Sequence, residues 1–401
     1  MNDNYLESFS SFSRISIGTF GAWPTQKNEK LSKCLFIISL FFLAFGVFIP
    51  QSIRVFQVWG DMDRLSNVLC VAELPYLVAF IKMIVLYRNK QKMSTLYSFM
   101  MDDWNRKKSN DELEIMIKSG DRGKRFSMVC IIMGHATAHS RMLQCIFENI
   151  PNWNSPGHFK NYTLYVDSYF PFTWNYYPAF ELLCCFQYVG SVCATFSYSG
   201  TDSFFSQISF HYTAQYYILR MRLLHLINNF NNKNCESKFN EEFNRIINIH
   251  YYINSCIEIV ESTFHLTFLV QILACTVQFC LLGYFFILYI SQENRSSMLS
   301  EILFIIVFFM YINGNLYIYC YLAEMLQMES YAFAETAYDT EWFNLPSQKA
   351  KSLLLLMQRG NKPNEITAGK FVVFNFQLFG SIVKTSLGYL SFLITMKKNN
   401  K

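Results

Sequence analysis

The chain is short of charge. Asp, Glu, Lys and Arg together supply 16% of its 401 residues, against about 25% in a soluble domain. With 52% hydrophobic residues and several apolar runs of about 20 residues, that shortage excludes an ordinary water-soluble globule and predicts a multi-span membrane protein. A net charge of +5 would hint at nucleic acid in a soluble chain. Here the basic residues gather in particular loops, so they report topology, and no nucleic-acid partner is expected. A disulfide framework is also missing. Of the twelve cysteines most lie inside apolar runs, none falls between Glu148 and Trp174, and there is no CxxC zinc pattern, so buried reduced thiols are expected. The first 33 residues hold no apolar core of signal-peptide length, so insertion is expected to use the first span itself. No nucleophile, metal set or cofactor motif points to an enzyme.

What is present is a series of apolar stretches. Spans are expected at about Cys34–Pro50, Leu65–Tyr87, Phe126–Phe147, Tyr176–Tyr198, Ser262–Ile290, Ile302–Leu326 and Phe371–Met396. The fold class is therefore all-α, a membrane protein of seven transmembrane helices. Four parts are expected: an N-terminal segment 1–33; helices one to six over 34–320; a polar segment 321–370; and a last helix with a short tail, 371–401. Between spans four and five, residues 200–261 are polar, with Leu219, Leu223, Leu226 and Phe230 at helical spacing, which predicts helical extensions beyond the membrane.

Two signals give an orientation. The stretch Arg88 to Arg125 holds ten Lys or Arg, and Arg220, Arg222, Lys233, Lys238 and Arg245 mark a second basic loop; both are expected on the cytoplasmic side. The loop Glu148 to Asn175 carries only Lys160 and is then outside. Sequons at Asn161 and Asn294 fall in loops that this arrangement puts outside, and both are candidate glycosylation sites. The N-terminus is expected in the cytoplasm and the C-terminus outside. Lys397, Lys398 and Lys401 conflict with this, but a tail of a few residues crosses regardless.

The candidate ligand-binding set is Tyr76, Phe80, His135, His139, Tyr177, Phe180, Cys184, Phe308 and Tyr311. Aromatic walls suit small apolar ligands held by area and shape; aromatic belts at the membrane interface give the same composition. His135 and His139, four apart on one helix face, fit a cavity wall or helix packing, with a metal site a remote third reading for want of another ligand. Glu73, Lys82, Arg141 and Glu181 lie in or near apolar spans, where such groups are costly and either functional, paired or snorkelling. In the last helix Ser381, Thr385, Gly388, Phe392 and Thr395 recur at helical spacing on one face, with Met396 beside them. Such a stripe serves either close helix packing or a water-facing pore wall narrowed near Phe392.

The end of the chain resembles the insect odorant receptors. The resemblance rests on Thr367-Ala368-Gly369-Lys370-Phe371, on Lys384-Thr385-Ser386-Leu387-Gly388-Tyr389, on Phe333-Ala334-Glu335-Thr336-Ala337-Tyr338-Asp339-Thr340-Glu341-Trp342 followed by Asn344-Leu345, and on Arg359. It is close over about Tyr321 to Met396; the rest agrees in length and span layout. Gustatory receptors differ, since no Gln-Phe follows Thr385-Ser386. G-protein-coupled receptors have the opposite orientation, and neither an Asp-Arg-Tyr nor an Asn-Pro-x-x-Tyr stands at their places. The resemblance implies a channel in the plasma membrane of sensory neurons, opened by small volatile molecules, with a ligand pocket among the helices. It also implies a heterotetramer with the shared co-receptor, assembled through the 321–370 segment around a pore lined by the last helix. With 62 residues between spans four and five, the chain is expected to be a tuning subunit, too short for the co-receptor. The alternative is a seven-helix or gustatory-type chemoreceptor that signals through a partner.

Overall fold

A computed structural model describes residues 2–26, 28–153, 162–228, 236–290 and 295–399, almost all of them helical. Helix α1 spans Asn2–Thr19. Helix α2, Glu29–Leu43, runs through a widened turn at Ala44–Phe48 into α3, Ile49–Gln57. Helix α4, Met62–Asn67, likewise runs through Val68–Glu73 into α5, Leu74–Arg88. Both wide turns have the same cause. Pro50 and Pro75 lack an amide hydrogen, and their rings press on the carbonyl four residues back, at Gly46 and Val71. The ladder relaxes to i→i−5 bonds, Ile49 N–H to Ala44 O and Leu74 N–H to Leu69 O, and turns Val71 and Ala72 relative to a regular helix.

The remaining helices are α6 (Lys90–Asn105), α7 (Asn110–Trp153), α8 (Ala179–Asn228), α9 (Glu236–Ile290), α10 (Arg295–Asp339), α11 (Ser347–Gly360) and α12 (Phe376–Asn399). Among the described residues five helical stretches are long and apolar enough to cross a membrane: 29–57, 63–88, 179–228, 237–285 and 302–339. They carry the first, second, fourth, fifth and sixth expected spans. The third and seventh lie on α7 and α12, which are more polar for different reasons. α7 opens on a charged half, and α12 carries the Ser/Thr/Gly stripe.

Helix α8 is the hub, packing on α1, α2, α5, α7, α9 and α10. Its polar middle is enclosed: Ser197 through Ala214 are all buried. Serines can be buried here because their hydroxyls bond the helix's own carbonyls, as Ser206 to Asp202 O at 2.8 Å, and because longer groups find partners. Ser13 of α1 donates to Gln207 Oε1 at 2.7 Å, and Gln207 Nε2 donates back to Phe9 O at 3.0 Å. The N-terminal segment is thus part of the core, with Phe9, Ile17 and Phe20 buried. Farther along, Asn254 accepts from Tyr216 and Asn364, so its amide nitrogen faces His250 Nε2 at 3.3 Å. That bond needs a neutral ring, and burial with the charge of Arg359 pushes the His250 pKa down to about 4.

The last helix begins later than its sequence implies. Phe371 to Asn375, assigned to the seventh span, precede it. Strand β1 (Thr367–Ala368) pairs antiparallel with β2 (Val372–Val373), Thr367 opposite Val373. Gly369 and Lys370, φ +64° and +67°, turn the chain between them, as a tight hairpin requires. The hairpin is clamped to α9: Thr367 N–H donates to Glu261 at 2.9 Å and Gly369 N–H to His265 O at 2.9 Å. Asn375 then caps α12 through the Leu378 N–H at 2.7 Å. The Thr-Ala-Gly-Lys-Phe run is therefore a joint between α11 and α12. A Cβ on Gly369 would stand 3.0 Å from Leu269 Cδ2 in a backbone region that disfavours side chains. Gly369→Ala is expected to cost about 1–2 kcal/mol and to lower the thermal midpoint of the purified protein by a few degrees.

Candidate ligand cavity and last-helix face

A cavity of about 60 Å³ lies between α5, α7, α8 and α10, walled by Tyr76, Tyr165, Tyr198, Phe304, Phe308 and Tyr311. The wide turn before α5 adds Val71. From α8 come Ser191, Ala194, Thr195 and Tyr198, four positions on one face at helical spacing. Tyr76 and Ser191 hydroxyls lie 2.7 Å apart, and the rings of Tyr198 and Tyr311 are 5.4 Å apart. The site offers large apolar area, with a few hydroxyls that are already partnered. Such a wall selects by shape, and it has no nucleophile and base placed for catalysis.

The cavity is roofed by residues 162–167, a segment without regular structure. Arg141 of α7 holds it, Nε donating to Tyr165 O at 2.7 Å and Nη2 to Leu164 O at 3.3 Å. Asn149 bonds Thr163 through both its amide groups, at 2.8 and 2.9 Å. Gln187 of α8 reaches Val166 O and Ser168. Arg141, costly in an apolar span, is thus satisfied by the roof and by Glu148 at 3.3 Å.

Beneath the floor sits a buried ion pair. Lys82 Nζ lies 2.6 Å from Asp202 Oδ1, with side-chain exposures of 0% and 2%. The Tyr319 hydroxyl also donates to Asp202 and receives a bond from Lys82 at 3.0 Å. Lys82 stands 3.5 Å over the ring of Tyr198, which lines the cavity from its other side. Lys82 is thus paired inside the protein and does not snorkel. Its partner lies 120 residues away, in the polar stretch 200–261.

Of the nine candidate ligand-binding residues, the structure brings Tyr76, Phe308 and Tyr311 to the cavity. Phe80 stacks on Phe48, centroids 5.1 Å apart; Phe180 stacks on Tyr162 at 4.1 Å; Cys184 is buried; and Tyr177 is 79% exposed. His135 and His139 line a separate groove of about 460 Å³ with Tyr188, Cys193 and Phe196. There His139 Nδ1 is 2.8 Å from the Tyr188 hydroxyl and His135 Nδ1 3.3 Å from Thr195 Oγ1. Among the described residues no group of three or more His, Cys, Asp or Glu could hold a metal. The α8 face was open to detection from its spacing. Tyr165 and Val166, on an irregular segment, carry no periodic signal.

On α12 the stripe of Ser381, Thr385, Gly388, Phe392 and Thr395 is exposed throughout. The face that packs against the rest of the chain is another one. Ile382 and Ser386 are buried, Ser386 donating to Thr276 O of α9 at 3.2 Å, and Leu390 presses on Gly283. The Met396 side chain and the sequons at Asn161 and Asn294 lie outside the described residues.

The model of the family described as "7tm Odorant receptor" matches residues 62–387. Odorant receptor 13a of Drosophila melanogaster is 19% identical over 397 residues, covering 93% of this chain and 92% of that one. Odorant receptor 47a of the same species is 33% identical over 129 residues, 31% of each chain. The fold matches that of the insect olfactory receptor OR5 from Machilis hrabei, solved in complex with eugenol, at a TM-score of 0.83 and 15% identity over 98% of both chains. The family match spans the four helices that wall the cavity and the first half of the last helix: the chain belongs to the 7tm odorant receptor family of insects.

Proposed function

We propose that this chain is a tuning subunit of an odorant-gated, non-selective cation channel. The observation that carries the reading is an aromatic cavity walled by four helices, together with a small-polar stripe on α12 that the described residues leave uncovered. A small volatile in the cavity shifts the balance between closed and open states. The exposed stripe fits a pore wall completed by the last helices of other subunits, in a heterotetramer with the shared co-receptor assembled through 321–370. The N-terminus is placed in the cytoplasm and the C-terminus outside, with Asn161 and Asn294 available for glycosylation, in the plasma membrane of sensory neurons. A receptor that signals through a soluble partner remains the competing class.

Recording current on co-expression with the co-receptor while applying volatiles tests this. Tyr311→Ala, opening the cavity wall, is expected to shift agonist potencies about 10-fold or more and reorder them, read on currents normalised to surface protein. Wild-type responses that require an added soluble signalling partner would refute the channel reading.

A further inference from the structure

Beyond the inner cavity lies a larger one of about 730 Å³. It shares Val71, Arg141, Val166 and Phe304 with the inner wall, so these four side chains separate the two spaces. Its own wall includes Gln144 and Glu148, four residues apart on one face of α7. Glu148 Oε1 accepts twice: from Arg141 Nη1 at 3.3 Å and from Gln144 Nε2 at 2.9 Å. A carboxylate only accepts, so the Gln144 amide must turn its nitrogen to Glu148 and leave its oxygen on the other side. Among the described residues, Gln144 Oε1 and Glu148 Oε2 are both buried and have no partner. Gln144 is only 8% exposed. Two buried oxygens that can only accept make an incomplete site, and leaving such groups unmade is unfavourable.

We propose that Gln144 and Glu148 form a polar subsite that takes the hydroxyl of a volatile alcohol or phenol, while the ligand's apolar body lies along Val71 and Phe304 toward the inner cavity. The two residues are specificity-determining. An O–H donor bonds one of these two oxygens, whereas an ether, ester or hydrocarbon of the same shape bonds neither. A site built for a hydroxyl discriminates more sharply than an apolar wall does. The subsite rests on the ligand-binding half of the proposed function and is independent of gating.

Isomer pairs test it by binding to the purified full-length protein: 1-octanol against heptyl methyl ether, and 4-methylphenol against anisole. The hydroxyl isomer of each pair is expected to bind about 10-fold or more tightly, read as ligand-dependent thermal stabilisation. Gln144→Met, which keeps the volume and removes one of the two acceptors, is expected to narrow the difference several-fold. Should that variant not fold, Gln144→Asn, which retracts the amide, carries the same expectation, and the wild-type comparison stands alone. Equal binding of the isomers, binding of neither, or a preference undiminished by either substitution overturns the subsite. A hydroxyl preference in a protein that passes no current keeps the subsite and sinks the channel reading.

Discussion

Asp202→Asn is expected to remove most of the protein from the cell surface. The substitution is nearly isosteric, so packing is not the cause. Lys82 Nζ lies 2.6 Å from Asp202 with both side chains essentially unexposed, and no water or snorkelling route can replace the lost charge. Breaking one member of a buried pair costs about 3–5 kcal/mol, because the other is left charged and uncompensated. Against a total stability of about 5–15 kcal/mol, that is a large fraction. Lys82→Met is expected to do similar damage. The double variant Lys82→Met/Asp202→Leu is expected to recover much of the loss, since no charge then has to be desolvated. Recovery should be incomplete, because the Tyr319 hydroxyl loses its acceptor. Surface labelling and the thermal midpoint of all three variants measure this cycle. Strictly additive losses would mean that the two groups do not act as a pair.

Phe392→Ser is expected to raise current in the absence of odorant, by several-fold when normalised to surface protein. Phe392 is 61% exposed, so its removal leaves the chain's own packing intact. If the stripe lines a pore, an apolar ring at this level blocks ions by dewetting, and a hydroxyl wets the neck. In a heteromer the co-receptor supplies other copies of the last helix, so the gain is partial. Leu390→Ser is the contrast. That side chain presses on Gly283 of α9, and losing it costs about 1–3 kcal/mol of packing, which lowers expression without changing permeation. Basal current and permeability ratios for both variants decide the matter. Were Phe392→Ser to cut expression and leave permeation unaltered, the stripe would be a packing surface only.

The sequence by itself determined the class and the order of helices. Low charge and long apolar runs state which residues avoid water, and that preference is local, so most of each of the seven expected spans falls on helix. Helical spacing likewise marked the α12 stripe as one face, because period and face are properties of a single helix. Family motifs near the end were legible as residues, but their shape was not: Gly369 and Lys370 take positive φ in a tight hairpin that Glu261 and His265 hold against α9.

Tertiary structure decided what meets what. Composition marks 200–261 as polar, yet Asp202 and Gln207 are buried, since Lys82 and Ser13, distant in sequence, satisfy them. Aromatics were visible as an excess, but Tyr76, Phe308 and Tyr311 face the cavity while Phe80 and Phe180 stack elsewhere and Tyr177 stays exposed. His135 and His139 share their face, as the spacing required, and that face borders a different groove. The reason is general. A periodic pattern records which side of a helix is covered, whereas the covering partner depends on contacts across more than a hundred residues, for which no local signal exists.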